Sequence, residues 1–186
     1  DGDREALQHT VDFVSFSYYS SKVVAADESK YQMANGNVMR GLKNPFVPTS
    51  DYDYPIDPEG LRYILNYLYD HFHKPLFVAE NGIGAREQLV ALPNGVRTVE
   101  DDARIQFHRG HIQAMERAIA DGVEVFGYTS WGPIDCVSAA SAEITKRYGF
   151  VYVDRNQDGT GTLERFRKKS FDWYKKVIAS NGEDLS

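Results

Sequence analysis

Three short apolar runs alternate with longer amphipathic segments along this chain. The runs at 11–19, 74–79 and 123–130 are rich in β-branched and aromatic residues and predict strands. Between them, apolar residues recur every three or four positions, which predicts two helices, and a similar segment at 168–180 predicts a last one. Strands that alternate with helices are typical of a parallel sheet covered by helices.

The helix boundaries follow from capping residues. Asp57 precedes Pro58 and Glu59, a sequence that favours a helix start, and the helix is expected to end near Asp70. For the next helix, Thr98 with Asp101 three residues later predicts a capping box. Its apolar stripe is Ile105, Ile112, Met115 and Ile119. The last helix is expected to bury Phe171, Tyr174, Val177 and Ile178, and residues 182–186 to form a frayed tail.

The remaining segments predict loops and one hairpin. Residues 22–56, with Asn35-Gly36-Asn37 among their turn signals, form a long irregular segment, and 149–161 predict a hairpin. Three βα units are too few to close a barrel, which needs roughly 250 residues. We therefore expect an incomplete barrel whose remainder precedes Asp1.

Composition narrows the class of protein. The chain has 186 residues, enough for one domain, and its net charge of -6 argues against a nucleic-acid partner. A single cysteine, Cys136, excludes an intrachain disulfide and fits a reducing compartment. No apolar run is long enough to predict a membrane span, and the polar start at 1–5 does not resemble a secretory signal.

Each predicted strand ends in side chains that can do chemistry: Tyr18 and Tyr19, then Glu80, then Trp131. A carboxylate at the end of a buried strand is costly unless it is paired or hydrogen-bonded. The carboxyl ends of parallel strands meet at one rim, where active sites are built. Glu80 is thus a candidate nucleophile or base; the alternative is a glutamate that starts an ordinary polar turn.

The motif at 78–82, Val-Ala-Glu-Asn-Gly, resembles the nucleophile motif of the retaining β-glycosidases of glycoside hydrolase family 1. The segments 12–19, 56–62 and 127–135 are similar to that family's sixth strand, the helix after it, and its eighth strand. The resemblance implies that residues 1–186 are the C-terminal portion of a single (β/α)8 TIM-barrel domain, about strands 6–8. It also implies that Glu80 forms a glycosyl-enzyme, that Tyr19 hydrogen-bonds Glu80, and that Trp131 floors the sugar subsite, with no metal or cofactor.

A second set of residues narrows the implied substrate. Where family members acting on neutral sugars have Glu-Trp, this chain has Ser138-Ala139. Ser138, Lys146 and Tyr148 resemble the phosphate-binding triad of the 6-phospho-β-glycosidases, and Ala139 is similar to those that act on 6-phospho-β-glucosides. The resemblance implies a bacterial cytoplasmic enzyme. A 6-phospho-β-galactosidase and a non-catalytic sugar-phosphate-binding module remain as alternatives.

Two features depart from the family pattern. Tyr52-Asp53-Tyr54 stand where Trp-Gly-Trp is common, on the aglycone side. The Asn-Glu motif of the general acid/base has no equivalent here, so we expect the chain alone to be inactive. Exposed strand edges are expected to promote oligomers or pairing with the missing barrel portion.

The remaining motifs do not predict a functional site. His71 and His73 lack a third ligand for a metal, and His108 and His111 are expected on an outer helix, facing solvent or a neighbouring element. Residues 154–159 imitate the first half of a calcium loop, but Arg165 stands at the twelfth position, so a hairpin turn is the better interpretation.

Overall fold

The computed structural model describes residues 2–34 and 41–186. In chain order the elements are α1 (Gly2–Ala6), β1 (Val14–Ser17), β2 (Met33–Ala34), β3 (Gly41–Leu42), α2 (Pro58–Phe72), β4 (Leu76–Glu80), β5 (Val90–Ala91), β6 (Arg97–Thr98), α3 (Asp102–Ala120), β7 (Val125–Tyr128), β8 (Val151–Val153), β9 (Arg165–Arg167) and α4 (Lys169–Ala179). A 3-10 turn, Glu28–Lys30, follows β1. The predicted Asn35-Gly36-Asn37 turn lies outside the described residues.

The central sheet has three parallel strands in the order β1-β4-β7. Val14 pairs with Leu76, and Leu76 pairs with Val125, so the three strands begin in line. The predicted alternation of strands and helices is therefore confirmed. The predicted hairpin is confirmed as well, with β8 antiparallel to β9. The two strands at the sides, β1 and β7, each leave one edge unpaired within the described sheet.

The main core lies between the sheet and the helices α2 and α3. Leu61 and Leu65 of α2 and Leu76 and Val78 of β4 are wholly buried there, and Met115 of α3 packs against them. The side chain of Asp57 accepts a hydrogen bond from the Gly60 amide at 3.0 Å, so α2 begins with the predicted cap. The packing holds β4, which carries Glu80, rigidly at the centre of the sheet.

The predicted capping box at the start of α3 is wrong. Thr98 belongs to β6, and its hydroxyl donates to the Arg167 carbonyl at 2.9 Å. Asp101 is the residue before the helix, but its carboxylate accepts from Arg104 Nε at 3.0 Å and from the Ser170 amide at 2.8 Å instead of capping. The charged guanidinium of Arg104 thus takes one carboxylate oxygen, and the other accepts from the first turn of α4 and not of α3.

The predicted length of one strand and the predicted burial of several side chains need correction. β1 is shorter than the predicted 11–19 strand. Ile119 and Ile178, predicted to face inward, are more than half exposed, and Phe171 is only half-buried. The two isoleucines border an apolar groove beside Phe126 on the open edge of β7, where the described chain supplies no further layer.

The two histidines of α3, His108 and His111, are fully buried. The predicted exposure of these histidines to solvent is therefore wrong, and the alternative, contact with neighbouring elements, is confirmed. The reason is that both rings lie on the side of α3 that faces the sheet. His108 contacts Tyr128 of β7, with Phe150 and Tyr174 beside it, and His111 packs against Tyr18.

The chain end folds back on α3 and α4. Arg109 Nε donates to the Leu185 carbonyl at 2.8 Å, and Trp173 Nε1 donates to the same oxygen at 3.3 Å. Fraying concerns motion, so the frayed tail at 182–186 stays a prediction. Among the described helices, none has the length and apolar character needed to cross a membrane.

Candidate functional site

The three parallel strands deliver Tyr19, Glu80 and Trp131 to one rim, as predicted from their positions after the strands. The Tyr19 hydroxyl donates to Glu80 Oε2 at 2.9 Å. Burial, and next the carboxylate of Glu80, raise the pKa of Tyr19, so its hydroxyl stays protonated and remains a donor. One carboxylate oxygen of Glu80 is held in this way.

The backbones of the strand ends are also tied together. The Tyr18 amide donates to the Glu80 carbonyl at 2.8 Å, and Asn81 Nδ2 donates back to the Tyr18 carbonyl at 2.7 Å. The Trp131 amide donates to the Asn81 carbonyl at 2.8 Å. Gly82 allows the chain to pass close to the tryptophan, because a Cβ there would lie 3.2 Å from Trp131 Cβ.

A cavity of about 250 Å³ opens at this rim. Its lining residues are Tyr19, Tyr54, Glu80, Trp131, Ser138, Ala139, Ala140 and Tyr148. Five of the six predicted site residues therefore share one cavity. The sixth, Lys146, is joined to the lining through Tyr54.

Lys146 is almost completely buried and surrounded by aromatic rings. Its Nζ donates to the Tyr54 hydroxyl at 2.8 Å and lies 4.5 Å and 5.0 Å from the ring centres of Tyr54 and Tyr52. Burial lowers the pKa of Lys146, an effect that the Glu143 charge partly offsets. Gly84 makes room for this side chain, since a Cβ at Gly84 would lie 2.8 Å from Lys146 Cγ.

Ser138 and Tyr148 place hydroxyls in the same region. Ser138 Oγ is buried and has no hydrogen-bond partner among the described residues. A buried hydroxyl without a partner is costly, and a ligand oxygen at this position would remove that cost. Burial raises the pKa of Tyr148, so its hydroxyl stays protonated and is also a donor.

A buried ionic network lies beneath this segment. Arg104 donates to the carbonyls of Ile83 at 2.9 Å, Tyr148 at 2.6 Å and Arg147 at 3.0 Å, and it pairs with Glu87. The remaining pairs are Arg104 with Asp101, Arg147 with Asp135, and Lys168 with Asp135 and Glu87. Each buried charge has an opposite partner, which offsets much of its desolvation cost. The network holds the backbone directly after Lys146, at Arg147 and Tyr148.

Sequence patterns pointed to neither Arg104 nor His108, because a charged or polar residue on an amphipathic helix is normally assigned to its solvent face. Tyr54 was noticed only as a departure on the aglycone side, whereas the structure places its hydroxyl against Lys146. Within the described ranges, no group of three or more His, Cys, Asp or Glu side chains is arranged to hold a metal ion.

The sequence model of glycosyl hydrolase family 1 matches residues 1–183. The chain belongs to this family. It is 55% identical over 183 residues to a 6-phospho-beta-glucosidase of Clostridium longisporum, covering 98% of this chain and 39% of the relative. It is also 55% identical to the 6-phospho-beta-glucosidase AscB of Escherichia coli K12, and 52% identical to the aryl-phospho-beta-D-glucosidase BglH of Bacillus subtilis. The chain thus spans about two fifths of the length of these curated relatives.

Solved structures support the fold. A family 1 β-glucosidase from Thermotoga maritima superposes with a TM-score of 0.77 at 29% identity, covering 98% of this chain and 38% of that one. The same enzyme in complex with deoxynojirimycin matches equally well. The predicted fold class is confirmed: the family member described here is a partial α/β barrel.

Proposed function

We propose that this chain is part of an enzyme that hydrolyses 6-phospho-β-D-glucosides with retention of configuration. One observation carries the proposal: Glu80 shares a cavity with Ser138 and Tyr148, and Lys146 lies directly behind its lining. A nucleophilic carboxylate and a set of phosphate-binding groups thus lie close enough to contact the two ends of one sugar phosphate.

In the proposed reaction a Glu80 oxygen attacks the anomeric carbon while the bond from that carbon to the aglycone oxygen breaks. A general acid protonates the departing oxygen, and the same residue then takes a proton from the water that releases the sugar. Tyr19 orients Glu80 throughout, and Trp131 offers an aromatic face to the sugar ring.

The phosphate subsite rests on Ser138, Lys146 and Tyr148. Lys146 supplies a positive charge, and the two hydroxyls supply directional bonds to phosphate oxygens. Ser138 also matters for what it replaces, because a carboxylate at this position would repel a phosphate dianion. The absence of any described partner for Ser138 Oγ supports a bound ligand oxygen there.

The glucoside preference rests on Ala139, which lines the cavity, and on the relatives, which are named for phospho-β-glucosides. A small side chain leaves space beside the phosphate subsite that a tryptophan would fill. The relatives are bacterial, and phosphorylated sugars are found inside cells, so we place the enzyme in the bacterial cytoplasm.

The general acid/base must come from outside the described residues. Glu80 is the only carboxylate among the residues that line the cavity, whereas retaining hydrolysis uses two, roughly 5–5.5 Å apart. We therefore expect no turnover of a chromogenic 6-phosphoglucoside by the 186-residue chain alone. Measurable turnover by that chain would contradict this part of the proposal.

The main experiment uses the complete protein, extended upstream to the length of its relatives. We expect turnover of an aryl 6-phospho-β-glucoside, its loss in Glu80→Gln, and its retention in Glu124→Gln, a control at an exposed carboxylate. Equal turnover of the unphosphorylated glucoside would contradict the phosphate subsite. Faster turnover of the 6-phosphogalactoside would identify a galactosidase, and binding without turnover would identify a sugar-phosphate-binding module.

A further inference from the structure

The carboxyl ends of β1, β4 and β7 are joined by a line of side-chain hydrogen bonds that starts inside α3. His108 Nδ1 lies 2.8 Å from the Tyr128 hydroxyl, and this hydroxyl donates to Asn81 Oδ1 at 2.8 Å. Asn81 Nδ2 in turn donates to the Tyr18 carbonyl at 2.7 Å. We propose that His108, Tyr128 and Asn81 form a positioning relay that holds Glu80 and Tyr19 in register; this rests on the proposed function of Glu80.

The direction of every bond in the relay can be deduced. A carbonyl only accepts, so the Asn81 group facing Tyr18 is the NH2, and Asn81 Oδ1 must face Tyr128 as an acceptor. Tyr128 donates its only hydroxyl proton to Asn81. His108 Nδ1 must therefore carry a proton and donate it to the Tyr128 oxygen. His108 is therefore the neutral tautomer protonated at Nδ1.

Burial keeps these groups neutral. Asn81 and His108 are both wholly inaccessible to solvent. Burial, and next the charge of Arg104, lower the pKa of His108 well below its ordinary value, and burial raises the pKa of Tyr128. Each group thus carries the single proton that the relay requires at neutral pH.

The relay acts on the site through the Tyr18 peptide. The Tyr18 amide donates to the Glu80 carbonyl, while the Tyr18 carbonyl accepts from the Asn81 side chain. Both backbone polar groups of Tyr18 are therefore bound to the end of β4 and the residue after it, and the next residue is Tyr19, which donates to Glu80 Oε2. A turn of the Asn81 amide would release the Tyr18 carbonyl and shift Tyr19 relative to the carboxylate.

A merely structural role explains the relay less well. His108 Nε2 is buried without a partner among the described residues, which carries a desolvation cost that an apolar side chain would avoid. The useful feature of His108 is its Nδ1 proton. Because asparagine has an amide nitrogen in the position of Nδ1, His108→Asn can keep the donor, whereas His108→Leu removes it.

Kinetics in the complete protein test the proposal. Tyr128→Phe and His108→Leu are expected to lower kcat by about tenfold to a hundredfold while KM changes little, since misaligned reacting groups slow the chemical step. His108→Asn should recover most of kcat. Tyr69→Phe, which removes a hydroxyl from a half-buried tyrosine packed on the same core, is the control and should match the unaltered enzyme. Wild-type kcat in both Tyr128→Phe and His108→Leu would overturn the proposal.

A second measurement does not depend on catalysis or on a variant that folds. Nitrogen-15 NMR of the unaltered 186-residue chain reports which ring nitrogen of His108 is protonated, and we expect Nδ1. Protonation at Nε2 would overturn the relay. If the complete protein turned over no substrate at all, the proposed function would fail, while the tautomer of His108 would still decide whether the relay exists.

Discussion

At the scale of single residues, Glu80 accepts one hydrogen bond at its side chain and one at its backbone carbonyl. Tyr19 holds Oε2 at 2.9 Å, so in the proposed reaction Oε1 is the oxygen that attacks the anomeric carbon. The Tyr18 amide holds the backbone carbonyl of the same residue at 2.8 Å. The two adjacent tyrosines therefore differ in role, because the Tyr18 hydroxyl points away and donates to the Asp57 carbonyl at 2.7 Å.

The difference between the two tyrosines can be measured. Tyr19→Phe removes the bond to Glu80, the proposed nucleophile, so we expect kcat of the complete protein to fall by about tenfold to a hundredfold, a loss typical of misplaced reacting groups. Tyr18→Phe is the matched control and should lower stability with little effect on kcat. Equal kcat values for the two variants, determined by steady-state kinetics, would contradict the assignment of Tyr19.

The buried histidines predict a loss of stability in mild acid. Burial lowers the pKa of His111 to about 4, against the effects of the Phe107 carbonyl and of Asp57. Below pH 6.5 the unfolded chain therefore binds protons that the folded chain excludes, and stability falls as the pH drops from about 6.5 toward 4. Each such histidine contributes a slope of up to about 1.4 kcal/mol per pH unit.

Urea unfolding between pH 7.5 and pH 5 checks this expectation, with both values chosen to bracket the ordinary histidine pKa of about 6.5. His111→Gln removes one titrating group and should give a shallower dependence, whereas His71→Gln, at an exposed position on α2, should keep the original slope. A pH dependence unaffected by His111→Gln would show that this histidine is not buried as a neutral ring.

The role of a residue could be predicted where it follows from the local sequence, but not where it depends on which groups the residue meets in the folded core. Glu80, Tyr19 and Trp131 follow strands directly, so their convergence could be inferred from the order of the elements. The structural role of Arg104 could not be predicted, because its side chain donates to the carbonyls of Ile83 and Tyr148, which lie far apart in the chain. Nothing in a linear pattern indicates that a helix arginine will meet them.

At the scale of elements, α2 and α3 contrast in how they begin. Asp57 precedes α2, and its carboxylate caps the Gly60 amide. Asp101 occupies the same position before α3, but Arg104 and Ser170 take its oxygens. The start of α2 could therefore be predicted from local sequence, while the start of α3 depends on tertiary partners.

The cap of α2 predicts a measurable loss. Asp57→Ala should lower the free energy of unfolding by about 1 kcal/mol, the usual cost of removing an N-cap side chain. Asp57→Asn keeps an acceptor oxygen in place and should lose much less. Urea unfolding at neutral pH measures both variants, and an alanine variant as stable as the parent would show that the Gly60 amide finds another partner.

At the scale of the whole molecule, the chain is a barrel segment with two open sides. Alternating strands and helices were enough to predict this, since three parallel strands cannot close a barrel. The exposure of Ile119 and Ile178 could not be predicted from their helical spacing, because that spacing shows which side is apolar but not whether a partner covers it.

The open side at β7 leads to the last prediction, on self-association. Phe126 of β7 is 54% exposed, and its ring packs edge-on against Phe13, the residue before β1, with 5.2 Å between the ring centres. Unpaired strand edges with exposed apolar residues favour pairing with another chain.

We expect the 186-residue chain to form concentration-dependent oligomers by light scattering. Phe126→Asp should shift it toward the monomer, whereas Tyr63→Asp, at an exposed position on α2 away from the sheet edges, should not. A chain that stays monomeric across a wide concentration range would contradict this, and so would an equal response to the two substitutions.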